Sequence, residues 1–129
     1  ADAGVSPEEV SYINAHATST PIGDISECKA IEKVFREDML GKINISATKS
    51  STGHMLGAAG AIEAIACIKS IETGLVHPTI NLNEVDPALN PNFDFTPLKA
   101  QPREINVVLN NTFGFGGHAV TTVFKKFES

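Results

Sequence analysis

Several absences bound this 129-residue sequence before any motif is read. No apolar run reaches membrane-span length; residues 56–73 come closest, and Glu63, Lys69 and Glu72 interrupt them. No cluster of Lys and Arg occurs, and ten basic against fifteen acidic residues leave a net charge of −5. That balance argues against a nucleic-acid partner. Cysteine is scarce: Cys28 and Cys67 lie among apolar neighbours in predicted helices, and buried free thiols in a reducing compartment are expected, not a disulfide. None of the four histidines pairs at metal-ligand spacing and neither Cys lies near one, so no metal site is expected. No internal repeat and no targeting segment ahead of Ala1 is recognised.

What is present is globular. Hydrophobic residues make up 42% and charged residues 19%, enough for one domain with a real core. The opening ADAGVSPEEV reads as the tail of an earlier helix entering a turn, so the chain is expected to be part of a longer protein. Ser6-Pro7-Glu8-Glu9 has the marks of a helix start, but strand-like Val10–Ala15 leaves room only for a turn. A hydroxyl-rich loop, HATSTPIGD, follows from His16. Asp24 is then expected to cap a half-exposed helix carrying Ile25, Cys28, Ile31, Val34 and Phe35, ended by Gly41. Residues 43–47 read as a second strand, and 56–72 as a helix so apolar that burial on most sides is expected. Gly74 should close that helix, and its small residues should allow close approach to a neighbouring backbone. Proline-rich residues 75–103 read as irregular, with one short strand near Phe93–Phe95. Ile105–Leu109 reads as a buried strand, NNTFGFGG as a long aromatic turn, and His118–Phe127 as the strand completing a hairpin.

The stretch around which the chain is organised is TKSSTGHMLGAAG, Thr48–Gly60. It joins a strand to a helix through a glycine-punctuated turn, the place where open α/β sheets bind ligands. Three loops each follow a strand, and parallel strands would bring them to one edge, so that His16, Lys49 and His54 converge. Two neutral imidazoles can each donate an N–H to one developing oxyanion, as acyl chemistry requires. Lys49 would add positive charge, and Glu63 is its natural counter-charge unless it reaches solvent. GFGGH lacks the Lys-Ser/Thr of a phosphate loop. His77 and His118 read as a polar loop residue and a strand-edge residue. No Ser or Cys stands where a nucleophile could be activated: Cys28 and Cys67 are mid-helix, and Ser50 and Ser51 lack a base.

NAHATSTPIGD, TKSSTGHMLGAAGAIEA and NNTFGFGG, in this order, resemble the β-ketoacyl-acyl carrier protein synthases over Ala1 to about Phe127. The resemblance implies an α/β thiolase-like fold, of which residues 1–129 would be most of the C-terminal half: a mixed sheet, five-stranded in the family, flanked by helices. It implies decarboxylative condensation of an acyl group with malonyl-acyl carrier protein, the nucleophilic Cys lying in the absent N-terminal half. His16 and His54 would be the catalytic histidines, Lys49 the active-site lysine and Glu63 its acid. Phe115 would gate the acyl pocket and serve the oxyanion hole, and Thr18 and Thr20 would line the approach of the phosphopantetheine arm. No cofactor beyond that arm is implied; the implied partners are acyl carrier protein, the missing half and a second copy in a homodimer. The implied compartment is a bacterial cytoplasm or a plastid or mitochondrial matrix. Ala17 replaces a common Gly, and His118-Ala119 a common Thr-Asn. A non-catalytic ketosynthase-like partner subunit is the alternative; retention of Lys49 and both histidines favours the enzyme.

Overall fold

The computed structural model describes residues 2–128. Ser6 N–H donates to Glu9 Oε2 at 2.8 Å, closing the single 3-10 turn Pro7–Glu9 ahead of β1 (Val10–Asn14). The first helix, α1, runs Gly23–Val34 and corrects two expectations. Its first N–H, from Gly23, is accepted by Thr20 Oγ1 at 3.2 Å. Asp24 instead accepts Ser19 N–H at 3.1 Å and braces the preceding loop. Nor does α1 reach Gly41: Phe35 turns to extended backbone and sinks its ring into the core, leaving Val34 59% exposed. Gly41 ends a separate turn, α2 (Glu37–Leu40).

β2 (Asn44–Ser46) lies parallel to β1, with Tyr12 opposite Asn44 and Asn14 opposite Ser46. A one-turn helix, α3 (Lys49–Thr52), ends at Gly53, whose φ of +69° only glycine adopts freely. The chain then winds through a 3-10 turn, Leu56–Ala58, into α4 (Ala59–Thr73). Gly74 closes α4 in the left-handed conformation, as expected. A Cβ on Gly60 would meet Thr112 Oγ1 at 3.2 Å, so the small residues of α4 do permit close approach to the sheet.

The expectation that α4 is buried on most sides is not met. It buries Ala59, Glu63, Cys67 and Ser70 and leaves Ile62, Ile65 and Ile68 37%, 56% and 41% exposed. Residues 75–103 hold one unexpected pairing, β3 (Leu75–Val76) antiparallel to β4 (Gln101–Pro102). The strand expected near Phe93–Phe95 is a single parallel bridge between Asp94 and Asn44, at the position where a fifth strand would add to β2.

β5 (Val107–Gly114) lies parallel to β1 and antiparallel to β6 (His118–Lys125). NNTFG is therefore strand, and the hairpin loop shrinks to Phe115–Gly117, where Gly116 and Gly117 take φ of +82° and +84°. Pairing along the whole of β6 overrides the weak strand preference of Asn and Gly. The sheet order is β2-β1-β5-β6, mixed as expected. Alternating side chains split the core between its faces. Ile13, Ile45 and Val107 pack with Cys28, Ile31 and Phe35 on one side. Tyr12 and Val108 pack with Cys67 and Val76 on the other.

Candidate active site

β1, β2 and β5 run in one direction and end at one edge of the sheet. His16 stands just beyond β1 and is 9% exposed; His54 lies beyond α3 and is exposed. Their ring centroids are 5.6 Å apart and their planes nearly perpendicular, at 87°. Phe113, near the end of β5, packs its ring 5.1 Å from that of His16. The convergence expected of the three loops is met.

Two backbone amides decide how the imidazoles are protonated. Phe113 N–H donates to His16 Nδ1 at 3.3 Å, and Leu56 N–H donates to His54 Nδ1 at 3.1 Å. A backbone N–H can only donate, so each Nδ1 is the bare acceptor and each neutral ring carries its proton on Nε2. Both histidines therefore offer an Nε2–H donor. Burial, helped by the positive charge of Lys49, pulls the His16 pKa down from 6.5 to about 4. His16 is thus a neutral donor at physiological pH.

Lys49 and Glu63 form a buried ion pair, with residues 8% and 2% exposed. Burial raises the Glu63 pKa against the pull of the Lys49 ammonium. Among the described residues, Glu63 Oε2 has no hydrogen-bond partner. The counter-charge expected from the sequence is in place, and the solvent-reaching alternative for Glu63 is not.

Other expected residues are placed differently. Phe115 is 92% exposed at the hairpin tip; the aromatic ring against His16 is that of Phe113. Thr20 is exposed and accepts the Gly23 amide, while Thr18 is half-buried. Ala17 takes φ +32°, a region glycine enters without penalty, which gives a physical reason for the Gly common at this position in the family it resembles. His118 and Ala119 are exposed at the start of β6.

Sequence reading missed two participants. Glu27, 5% exposed on α1, accepts His16 N–H and Ala17 N–H at 2.9 Å each and Asn111 Nδ2 at 3.0 Å. It pins the loop that carries His16. Its position beside Cys28 and four before Ile31 was the available signal, because it puts Glu27 on the buried face. His77 is no bland loop residue: its Nε2 lies 2.9 Å from both Tyr12 Oη and Thr48 Oγ1. Only its place beside a strand could have marked it.

Neither thiol can act as nucleophile. Burial pushes Cys28 and Cys67 each up to about 12, so both stay protonated. A cavity of about 410 Å³ is walled by Ile25, Cys28, Leu89 and Phe95. It takes in Ala15 and Ala17 but not His16, Lys49 or His54. The histidine pair sits at the open edge, away from it. Among the described residues, no three of His, Cys, Asp and Glu are grouped to hold a metal ion. No described helix is long and apolar enough to cross a membrane.

Residues 1–83 match the family described as Beta-ketoacyl synthase, C-terminal domain. The chain belongs to the β-ketoacyl synthase family. It is 54% identical over 127 residues to 3-oxoacyl-[acyl-carrier-protein] synthase I, chloroplastic, of Hordeum vulgare, covering 98% of this chain and 27% of that protein. It is 48% identical to 3-oxoacyl-[acyl-carrier-protein] synthase 2 of Staphylococcus aureus (strain COL), covering 99% of this chain and 30% of that one. Among solved structures, a type II PKS acyl-carrier protein in complex with its ketosynthase bound to the hexaketide superposes with a TM-score of 0.91 at 40% identity. That match covers 98% of this chain and 30% of the other. The α/β fold is accordingly thiolase-like, and the chain spans less than a third of the length of these relatives.

Proposed function

We propose that this chain carries the decarboxylation machinery of a β-ketoacyl-acyl carrier protein synthase. The observation that carries the reading is the matched pair of backbone amides on His16 and His54 Nδ1. In the proposed reaction the malonyl thioester loses carbon dioxide, and the electrons of the broken C–C bond pass onto the thioester oxygen as an enolate. The two Nε2–H groups stabilise that oxygen, with the Lys49 ammonium adding positive charge beside them. The enolate carbon then attacks an acyl thioester on a cysteine, forming the new C–C bond and expelling the thiolate. That cysteine comes from sequence outside this chain, since Cys28 and Cys67 are buried and protonated. Glu63 holds Lys49 in place.

In this reading Phe115 closes over the acyl pocket once the remaining sequence covers the hairpin tip, and its N–H completes the oxyanion hole. Thr18 and Thr20 line the path of the phosphopantetheine arm, the only carrier group the reaction needs. Acyl carrier protein is the partner, in line with the acyl-carrier-protein complex of the structural relative. Residues 1–129 form one half-domain, which pairs with an N-terminal half and, through it, with a second copy. Two buried free thiols suit a reducing compartment, a bacterial cytoplasm or a plastid or mitochondrial matrix.

The test uses the complete polypeptide containing this chain. His16→Ala and His54→Ala should each cut malonyl decarboxylation and condensation by roughly 10²–10³ while cysteine acylation continues. Condensation at the normal rate in either variant removes that histidine from the mechanism. The reading as a partner subunit predicts instead that neither acylation nor decarboxylation is measurable in the unsubstituted protein.

A further inference from the structure

One polar chain crosses the sheet, and donor and acceptor chemistry orders it in a single direction from His77 to Gly60. Asn110 Nδ2 donates to Gly60 O, and Asn14 Nδ2 to Asn110 Oδ1, each at 3.2 Å. Asn14 Oδ1 therefore accepts, and receives the Thr48 hydroxyl at 2.9 Å and the Thr48 N–H at 3.4 Å. The Thr48 hydroxyl proton is thus committed, and its oxygen can only accept from His77 Nε2, 2.9 Å away. That places a His77 proton on Nε2, which also lies 2.9 Å from Tyr12 Oη and 3.2 Å from Ser46 Oγ, while Nδ1 lies 3.3 Å from both Ser46 Oγ and the Pro78 carbonyl oxygen. Ser46 Oγ and Tyr12 Oη, 2.7 Å apart, share a hydrogen bond of their own beside the imidazole. Tyr12 and Asn14 are fully buried and Ser46, Asn110 and Thr48 are 1%, 2% and 6% exposed, with His77 half-buried, so solvent cannot stand in for a missing link between Thr48 and Gly60.

Two members of this chain adjoin the two halves of the ion pair. Thr48 precedes Lys49 at the start of α3, and Gly60 lies three residues before Glu63 in the first turn of α4. We propose that His77 is a positioning residue that ties the start of α3 to the sheet and so sets where the Lys49 ammonium sits against Glu63 and the histidine pair. His77 touches no reacting atom; it acts through Thr48. It is the member supplied by the irregular stretch between β3 and β4, which gives that stretch a part in the site. Burial lowers the His77 pKa, consistent with the neutral donor–acceptor ring the chain needs. The consequence for turnover rests on the proposed condensing function; the placement of Lys49 does not.

The test compares His77→Ala and His77→Gln in the complete polypeptide, because a Gln amide offers both a donor and an acceptor near the imidazole Nε2 position. His77→Ala should lower kcat for condensation on the order of 10–100-fold with KM and cysteine acylation unchanged, since a small misplacement of a charged group acts on the chemical step. His77→Gln should recover most of that loss. In ¹³C-lysine-labelled protein, the Lys49 Cε resonance should move in His77→Ala, return in His77→Gln, and be the lysine signal most affected. An unmoved Lys49 resonance in a folded His77→Ala variant overturns the proposal, as does a Gln variant that folds yet recovers neither signal nor rate. Absence of condensation in the unsubstituted protein sinks the functional reading alone, and the resonance still decides the role of His77.

Discussion

The two long helices, α1 and α4, are built in opposite senses. α1 turns Cys28 and Ile31 inward and Lys29 and Lys33 outward, the ordinary arrangement of a surface helix. α4 turns Glu63 and Ser70 inward and Ile62, Ile65 and Ile68 outward. Each helix buries one glutamate for the sake of the site, Glu27 under the His16 loop and Glu63 against Lys49. The difference teaches which side of the site this chain completes by itself. On the α1 side Cys28, Ile31 and Phe35 cover the sheet and His16 is buried. On the α4 side residues 51–58, His54 among them, stand exposed beside a row of isoleucines. Completing the burial of each half-exposed isoleucine would be worth roughly 1 kcal/mol, so that face gains by being covered.

The comparison is broken most severely at Glu63. Glu63→Ala leaves the Lys49 ammonium buried without a counter-charge, and should destabilise the complete polypeptide by about 3–5 kcal/mol in denaturant unfolding. A loss below about 1 kcal/mol would mean that Lys49 reaches solvent and the pair is not a structural necessity. Glu27→Gln should cost less, about 1–3 kcal/mol, because a Gln amide cannot accept from all three donors that face the carboxylate. It should also loosen the His16 loop while leaving the α4 side intact. Faster amide exchange at Ala17 than at Leu56 is the expected signature.

A third effect is one of pH. The His16 pKa is held near 4 in the fold against an ordinary 6.5. As pH falls through that interval the unfolded chain takes up a proton that the folded chain refuses. Stability from this group is present above 6.5 and is lost progressively towards 4. Glu63, raised by burial, titrates with the opposite sign, because its folded form takes up the proton first. The difference between the unsubstituted protein and His16→Asn therefore isolates His16. It should widen at higher pH and close below about 4. A pH-independent difference would mean that His16 is solvated.

Much of this site could be read in the sequence because strand ends are legible. Parallel strands put the residues after Asn14 and Ser46 on one edge, and the motif residues His16, Lys49 and His54 follow from that alone. The pairing of Lys49 with Glu63 was equally legible, since a carboxylate in an apolar helix demands a partner. Glu27 was harder to read, because α1 offers many charged residues and only its spacing from Cys28 and Ile31 marks the one that faces inward. β3 and β4 are two residues each and show no period, so only their tertiary pairing defines them. The outward face of α4 was legible in part: apolar periodicity tells how much surface wants burial, and a half-domain was not expected to cover all of it, but the residues left bare are set by tertiary packing.

That last point is also where the account is most exposed to test. Light scattering on residues 1–129 alone, paired with an assay for ketoacyl product from acyl and malonyl carrier-protein thioesters, asks whether the α4 face and the site await further sequence. The account predicts self-association and no product from the isolated chain. With the missing half supplied as a second chain, monodisperse behaviour should return first and product formation with it. A monodisperse 129-residue monomer that forms product by itself would contradict both the open α4 face and the nucleophile from outside the chain.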